Sequence, residues 1–138
     1  MDSKVTIGDL NAVIDDTPFL ADYGVRVESC ASGECALLVP FNRSMERPGG
    51  IISGMAIMGA ADVAMWLAVM TLRGLDEQWV TADIKTAFLR SGREDDFVCK
   101  AVVLKLGRRI AYGTAESRAR STNELLAHHT VTYMKAAG

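Results

Sequence analysis

The run Gly49-Gly50-Ile51-Ile52-Ser53-Gly54-Met55-Ala56-Ile57-Met58-Gly59-Ala60-Ala61-Asp62, continuing through Val63 to Leu72 and closed by Arg73-Gly74, decides the fold. From Gly54 to Leu72 the only charged residue is Asp62. By length the segment could span a bilayer. A carboxylate near its middle, however, costs roughly 2.5–3.5 kcal/mol on insertion scales, and no Lys/Arg cluster flanks its start. The expected form is therefore a helix from about Ser53 to Leu72, buried in a soluble core. Pro48-Gly49-Gly50 breaks the chain before it, and Gly74 ends it as a C-cap.

Working outward, the chain is strand-like on both sides of this helix. Upstream, Val25 and Val27, then Cys35, Leu37 and Val39, alternate with polar or small residues, and Ala31-Ser32-Gly33 reads as a hairpin turn. Before them, residues 1–24 form an N-terminal helical segment. Thr6 caps a helix to Ile14 whose Ile7, Leu10, Val13 and Ile14 share one face. Downstream come four strand-like segments. Val80 to Leu89 alternates around Ala82, Ile84, Thr86 and Phe88. Phe97 to Leu106 is rich in Val, Ile110 to Arg120 alternates small and polar residues, and Leu125 to Met134 ends the series. Gly107-Arg108 turns tightly between the second and third.

The expected class is α+β: one long helix wrapped by an antiparallel sheet of about six strands, as one domain over residues 1–138. A helix this apolar needs cover on all sides, and one protomer cannot cover it and both sheet edges. Association into a symmetric homo-oligomer is expected.

Apolar residues make up 49% of the 138-residue chain and charged residues 23%, which argues against disorder. A net charge of -2 gives no global pull toward nucleic acid or anionic membranes, so neither is an expected partner. Cys30, Cys35 and Cys99 are odd in number and form no Cys-x-x-Cys pair. Neither a disulfide framework nor a metal site is expected, and the pattern suits a reducing cytoplasm. The start, Met-Asp-Ser-Lys-Val-Thr, has no apolar signal core. His128 and His129 are strand neighbours on opposite faces and cannot chelate one metal together.

Gly50-Ile51-Ile52-Ser53-Gly54-Met55, with Ala61-Asp62 ending nine residues after Ser53, resembles the motif of the PaaI-type hot-dog thioesterases of the 4-hydroxybenzoyl-CoA thioesterase-like superfamily. Thr81 to Arg90, ending Thr86-Ala87-Phe88-Leu89-Arg90, resembles that family's strand after the helix, and Leu106-Gly107-Arg108-Arg109 its hairpin turn. The resemblance covers roughly residues 20 to 135. It implies a hot-dog fold and an acyl-CoA thioesterase, acting as a homodimer or homotetramer with its site at the subunit interface. No cofactor is implied, since coenzyme A is part of the substrate. Three positions depart from the family pattern. Ser53 stands where the family usually has His, Met55 where it has a second Gly, and Arg47 where an Asn is frequent.

Thioester hydrolysis needs an activated water or an attacking carboxylate, and donors for the carbonyl oxygen as it gains charge. Asp62 is the expected base or nucleophile, or else a buried carboxylate that hydrogen-bonds a neighbour and fixes the dimer. The Gly54 amide, at a helix N-terminus where N–H groups lack partners, is the expected oxyanion donor. Ser53 either assists it or simply caps the helix. Asp62 is roughly 13 Å further along the helix, too far to act with Gly54 of the same chain. The resemblance implies that Gly54 meets Asp62 of a second copy. Gly50 and Met55 are expected to contact substrate, although Met55, Met58, Met65, Met70 and Trp66 also read as core packing; Arg90, Arg108 and Arg109 are expected to hold the coenzyme A phosphates, although exposed strand-end arginines are also common. Two further readings stay open: a non-catalytic acyl-CoA-binding protein, which the missing His favours, and a hot-dog dehydratase or hydratase.

Overall fold

The computed structural model describes residues 2–20 and 22–137; Met1, Ala21 and Gly138, the ends of the 1–138 span and one residue of the 1–24 segment, lie outside the described residues. Helix α1 (Ile7–Asp15) is followed by the hairpin β1 (Arg26–Ala31) and β2 (Glu34–Val39). Two-residue strands β3 (Glu46–Arg47) and β4 (Ile51–Ile52) bracket Pro48-Gly49-Gly50. The long helix α2 (Gly54–Arg73) leads to β5 (Trp79–Phe88), β6 (Phe97–Leu106), β7 (Ile110–Ala119) and β8 (Leu125–Lys135).

Six strands form one antiparallel sheet in the order β1-β2-β6-β7-β8-β5. It curls around α2, as the helix-in-sheet expectation required. Thr6 caps α1 through the expected box, with Asp9 reaching back to the Thr6 amide. Gly74 ends α2 at φ 82°, and its amide reaches the Met70 carbonyl. There Arg73 donates to both carboxylate oxygens of Glu77 at 2.7 and 2.8 Å, which pins the turn into β5.

The concave face of the sheet and most of α2 make the core. Ala60, Ala61, Val63 to Met65 and Leu67 to Thr71 are buried against Leu37, Phe97, Cys99, Ala101, Ala115 and Val131. Thus a helix long and apolar enough to cross a membrane lies mostly inside the fold. Small residues let helix and sheet approach closely. A Cβ at Gly113 would overlap both the Val102 carbonyl oxygen and the Met65 methyl. Burial pushes the Cys35 and Cys99 thiols up to about 12, so neither is a ready nucleophile.

One stripe of α2 is left uncovered. Met55, Met58, Gly59, Asp62 and Trp66 fall at helical spacing, and every one is exposed or half-buried. The free edge of β5 lies at the end of the sheet order, with Val80 and Phe88 exposed.

A polar row crosses the interior between three strands. His129 on β8 is fully buried. Its Nδ1 is 2.8 Å from Thr86 Oγ1 on β5, and its Nε2 is 3.0 Å from Ser117 Oγ on β7.

The alternation read along β5 needs one correction. Ile84 and Thr86 are half-buried in step with the alternation while Phe88 is exposed, and a bulge between Thr81 and Asp83 breaks the period. It turns Thr81, rather than Ala82, toward the helix.

Candidate active site

The entry to α2 is set by its loop. Gly49 and Gly50 take left-handed backbone conformations, φ 100° and 70°, which strain any other residue. The chain then runs into β4, where Ile52 N–H donates to the Gly92 carbonyl and Ser53 N–H to the Met45 carbonyl. Ser53 is the N-cap: its Oγ accepts from the Ala56 amide at 3.2 Å. Capping is therefore a role Ser53 performs in this structure, and it fixes where the first helical turn begins. Gly54 is the first helical residue, and its amide belongs to the turn whose N–H groups point out of the helix. The Phe88 ring stands over it. A Cβ at Gly54 would be 3.1 Å from Phe88 Cζ, so the absence of a side chain leaves room for that ring.

Asp62 lies on the uncovered stripe two turns further on. Thr81 Oγ1 donates to its Oδ1 at 2.6 Å, and Tyr133 O–H donates to the same oxygen at 2.7 Å. The Tyr133 hydroxyl is also 2.9 Å from the Asp62 carbonyl oxygen. Burial, with the Asp62 carboxylate beside it, pushes the Tyr133 hydroxyl above its ordinary range, so it remains a proton donor. Both donors converge on Oδ1, and no described residue donates to Oδ2.

Thr81 and Tyr133 were not identified from sequence. On strands they look like ordinary β-formers. The only available signal was that a carboxylate inside an apolar helix needs hydroxyl or amide donors at inward strand positions.

The remaining sequence-derived residues divide by location. Met55 is 87% exposed on the stripe, next to Gly54. Gly50 lies in the turn before the helix. Arg90 follows β5 at this same end, its Nη1 2.9 Å from Glu124. Arg108 and Arg109 lie at the other end of the sheet, where Lys135 N–H bonds the Arg109 carbonyl. With Lys135 they line a cleft of about 350 Å³. Arg90 is anchored to Leu126 and Arg109 to Lys135 of the same strand, nine residues or about 30 Å apart. Within one protomer they do not meet. His128 is half-buried and His129 buried, and among the described residues no three His, Cys, Asp or Glu side chains converge to hold a metal.

A long helix wrapped in a six-stranded antiparallel sheet defines the hot-dog class. Residues 49–126 match the Thioesterase superfamily model, more than half of the chain, and the protein belongs to that family. A conserved protein from Pseudomonas aeruginosa superposes with a TM-score of 0.81 at 28% identity, covering 87% of this chain and 94% of that one. A point variant of the phenylacetic acid degradation protein PaaI from Thermus thermophilus gives a TM-score of 0.76 at 26% identity, over 86% and 99% of the two chains. A Saccharolobus solfataricus protein that bears the name "Putative esterase" is 28% identical over 106 residues, 77% of this chain and 70% of its own. The chain is thus a thioester hydrolase of the hot-dog type, as its sequence resemblance implied.

Proposed function

We propose that this thioesterase hydrolyses acyl-CoA thioesters at a site shared between two copies of the chain. The observation that carries this reading is the split within one protomer. The Gly54 amide opens α2, Asp62 sits two turns away, and the stripe joining them lacks cover beside an unpaired β5 edge. Two helices side by side about a two-fold axis bring Gly54 of one copy to Asp62 of the other.

In that arrangement the thioester carbonyl oxygen lies against the Gly54 N–H, and the helix dipole favours the charge it gains. Asp62, held through Oδ1 by Thr81 and Tyr133, offers Oδ2 to a water. The water oxygen bonds to the acyl carbon as its proton passes to the carboxylate; the C–S bond then breaks with its electron pair going to sulfur, which takes that proton back from Asp62. The thiol leaves as coenzyme A and needs no further cofactor. Arg108, Arg109 and Lys135 supply a cationic cleft suited to its phosphates, while Arg90 serves the opposite end. Three free thiols, Cys30, Cys35 and Cys99, fit a cytoplasmic setting.

The test mixes two dead variants, Asp62→Asn and Gly54→Val, refolded together. A shared site recovers roughly a quarter of wild-type thiol release, since half the dimers are mixed and each holds one intact site. Recovery of nothing, with mixed dimers verified by mass, removes the shared site. Absence of turnover on any acyl-CoA by wild type, with binding retained, supports the binding-protein reading instead.

A further inference from the structure

Cys30 on β1 and Cys35 on β2 are direct partners across the first hairpin. Partners share a face of the sheet, so the two thiols stand on the same side. Both are free: Cys35 is fully buried, and Cys30, on the outermost strand, is half-buried. The turn fixes their spacing. Ser32-Gly33 is a two-residue connection between the paired Ala31 and Glu34, and such a connection closes on a hydrogen-bonded pair. Pairs alternate from there, which makes Cys30 and Cys35 a non-hydrogen-bonded pair with Cα atoms about 4.5 Å apart. Disulfides span Cα separations of about 4.4–6.8 Å.

The register is held at both ends. At the turn, Gly33 N–H donates to the buried Thr71 Oγ1 at 2.8 Å, and Val103 N–H donates to the Gly33 carbonyl at 2.8 Å. At the other end, Val27 N–H donates to Asn11 Oδ1 at 3.0 Å. Cys99 stands outside the pair. It is opposite Leu37, whereas Cys35 is opposite Ala101. Cys35 and Cys99 are thus diagonal neighbours about 7–8 Å apart, beyond the reach of about 7 Å for a bridge.

We propose that Cys30 and Cys35 are a redox modification site, which a low-molecular-weight disulfide such as oxidised glutathione converts to a cross-strand disulfide. The inference goes beyond the hydrolase reading and does not depend on it. Cys30, the more accessible thiol, loses its proton and attacks one sulfur of the glutathione disulfide. The other half leaves as thiolate and takes up a proton. Cys35 then gives up its proton and attacks Cys30 Sγ, and the second glutathione leaves as a thiol. Two cysteines are oxidised and one glutathione disulfide is reduced to two thiols. Burial pushes the Cys35 thiol up to about 12, so the second step is the slower. The bridge acts on a strand that the sheet holds on one side only. It ties β1 to β2, together with α1, which reaches β1 through Asn11 and through an Asp15–Arg26 ion pair at 2.8 Å. β1 is at the opposite end of the sheet order from β5, so the pair is clear of the proposed subunit interface.

The experiment incubates the folded full chain with oxidised glutathione, blocks remaining thiols and maps the peptides without reduction. Glu34 lies between the two cysteines, so a Glu-specific protease separates them unless they are bridged. Wild type should yield a linked Cys30–Cys35 peptide pair, and free thiols per chain should fall from three to one, with Cys99 reduced. Dithiothreitol should reverse the change. The oxidised chain should melt a few degrees higher than the reduced one. Cys99→Ala should oxidise as wild type does, and Cys30→Ser should form no internal bridge. A thiol count that stays at three, a bridge that includes Cys99, a glutathione adduct on Cys30 that never closes, or a lowered melting point overturns the proposal. The mapping on wild type decides the matter even where a variant fails to fold.

Discussion

The Tyr133 hydroxyl is hydrogen-bonded to Asp62 at two points, 2.7 Å from Oδ1 and 2.9 Å from the backbone carbonyl oxygen. One phenol thus fixes both the rotation of the carboxylate and its height on the helix. Thr81 supplies the second donor to Oδ1. Tyr133→Phe removes only the hydroxyl. A carboxylate displaced by about 1 Å can cost on the order of 100-fold, so kcat should fall about 10- to 100-fold with KM nearly unchanged. Thr81→Val should act in the same direction. Steady-state kinetics on both variants checks this, and a kcat within twofold of wild type would show that Asp62 needs neither donor.

Gly54→Ala places a methyl 3.1 Å from Phe88 Cζ. Phe88 is half exposed and can swing aside, so the thermal midpoint should hardly move. The methyl then occupies the approach to the Gly54 amide, and kcat/KM should fall by about 100-fold, the usual loss for one oxyanion donor. Adding Phe88→Ala relieves the steric contact without restoring the approach. Recovery of activity in the double variant would assign the defect to Phe88 instead; a double-mutant cycle separates the two.

His129 makes stability depend on pH. Burial, with His128 nearby, lowers its folded value from 6.5 to about 4. The folded form keeps it neutral, while the unfolded chain takes up a proton below pH 6.5. Its contribution is therefore complete above 6.5 and is lost progressively as pH falls toward 4. Over that window it amounts to at most about 3 kcal/mol. Urea midpoints measured at pH 4.5, 5.5, 6.5 and 7.5 should drop on the acid side. His129→Gln, although less stable at pH 7.5, should show a flatter acid limb.

Gly113→Ala tests the seating of the helix on the sheet. The added Cβ meets the Val102 carbonyl oxygen, a backbone atom that cannot rotate away, and the Met65 methyl. A loss of about 3 kcal/mol or more is expected, at the upper end of overpacking costs. Met65→Ala in the same chain should recover part of it, but not the part due to Val102. A thermal midpoint unchanged in Gly113→Ala would mean that β6 and β7 can separate.

What the sequence revealed and what it hid follow from how each feature is encoded. The buried helix was legible because nineteen residues with one charge have few other physical solutions, and Asp62 stood out for the same reason. Ser53 and Gly54 were legible as a helix start. Strand order was not, because alternation records which face a residue occupies and not which strand lies beside it. The chain places β5 at the far edge beside β8, with Thr86 paired to His129 43 residues downstream, and periodicity carries no trace of that adjacency. Tyr133 is 71 residues from Asp62 and Thr81 is 19, so only the folded sheet brings them together. The bulge at Thr81 was equally invisible, since it appears as a lapse in an alternation that otherwise reads cleanly.

The buried row of Thr86, His129 and Ser117 acts as an alignment key for the supports of the Asp62 carboxylate. Thr86 shares β5 with Thr81, and His129 shares β8 with Tyr133. A slip of one residue between these strands would turn His129 to the outer face and leave both hydroxyls without their partner. The same slip would swing Thr81 or Tyr133 away from Asp62. Three side chains that do not touch Asp62 thereby set the aim of the two that hold its carboxylate.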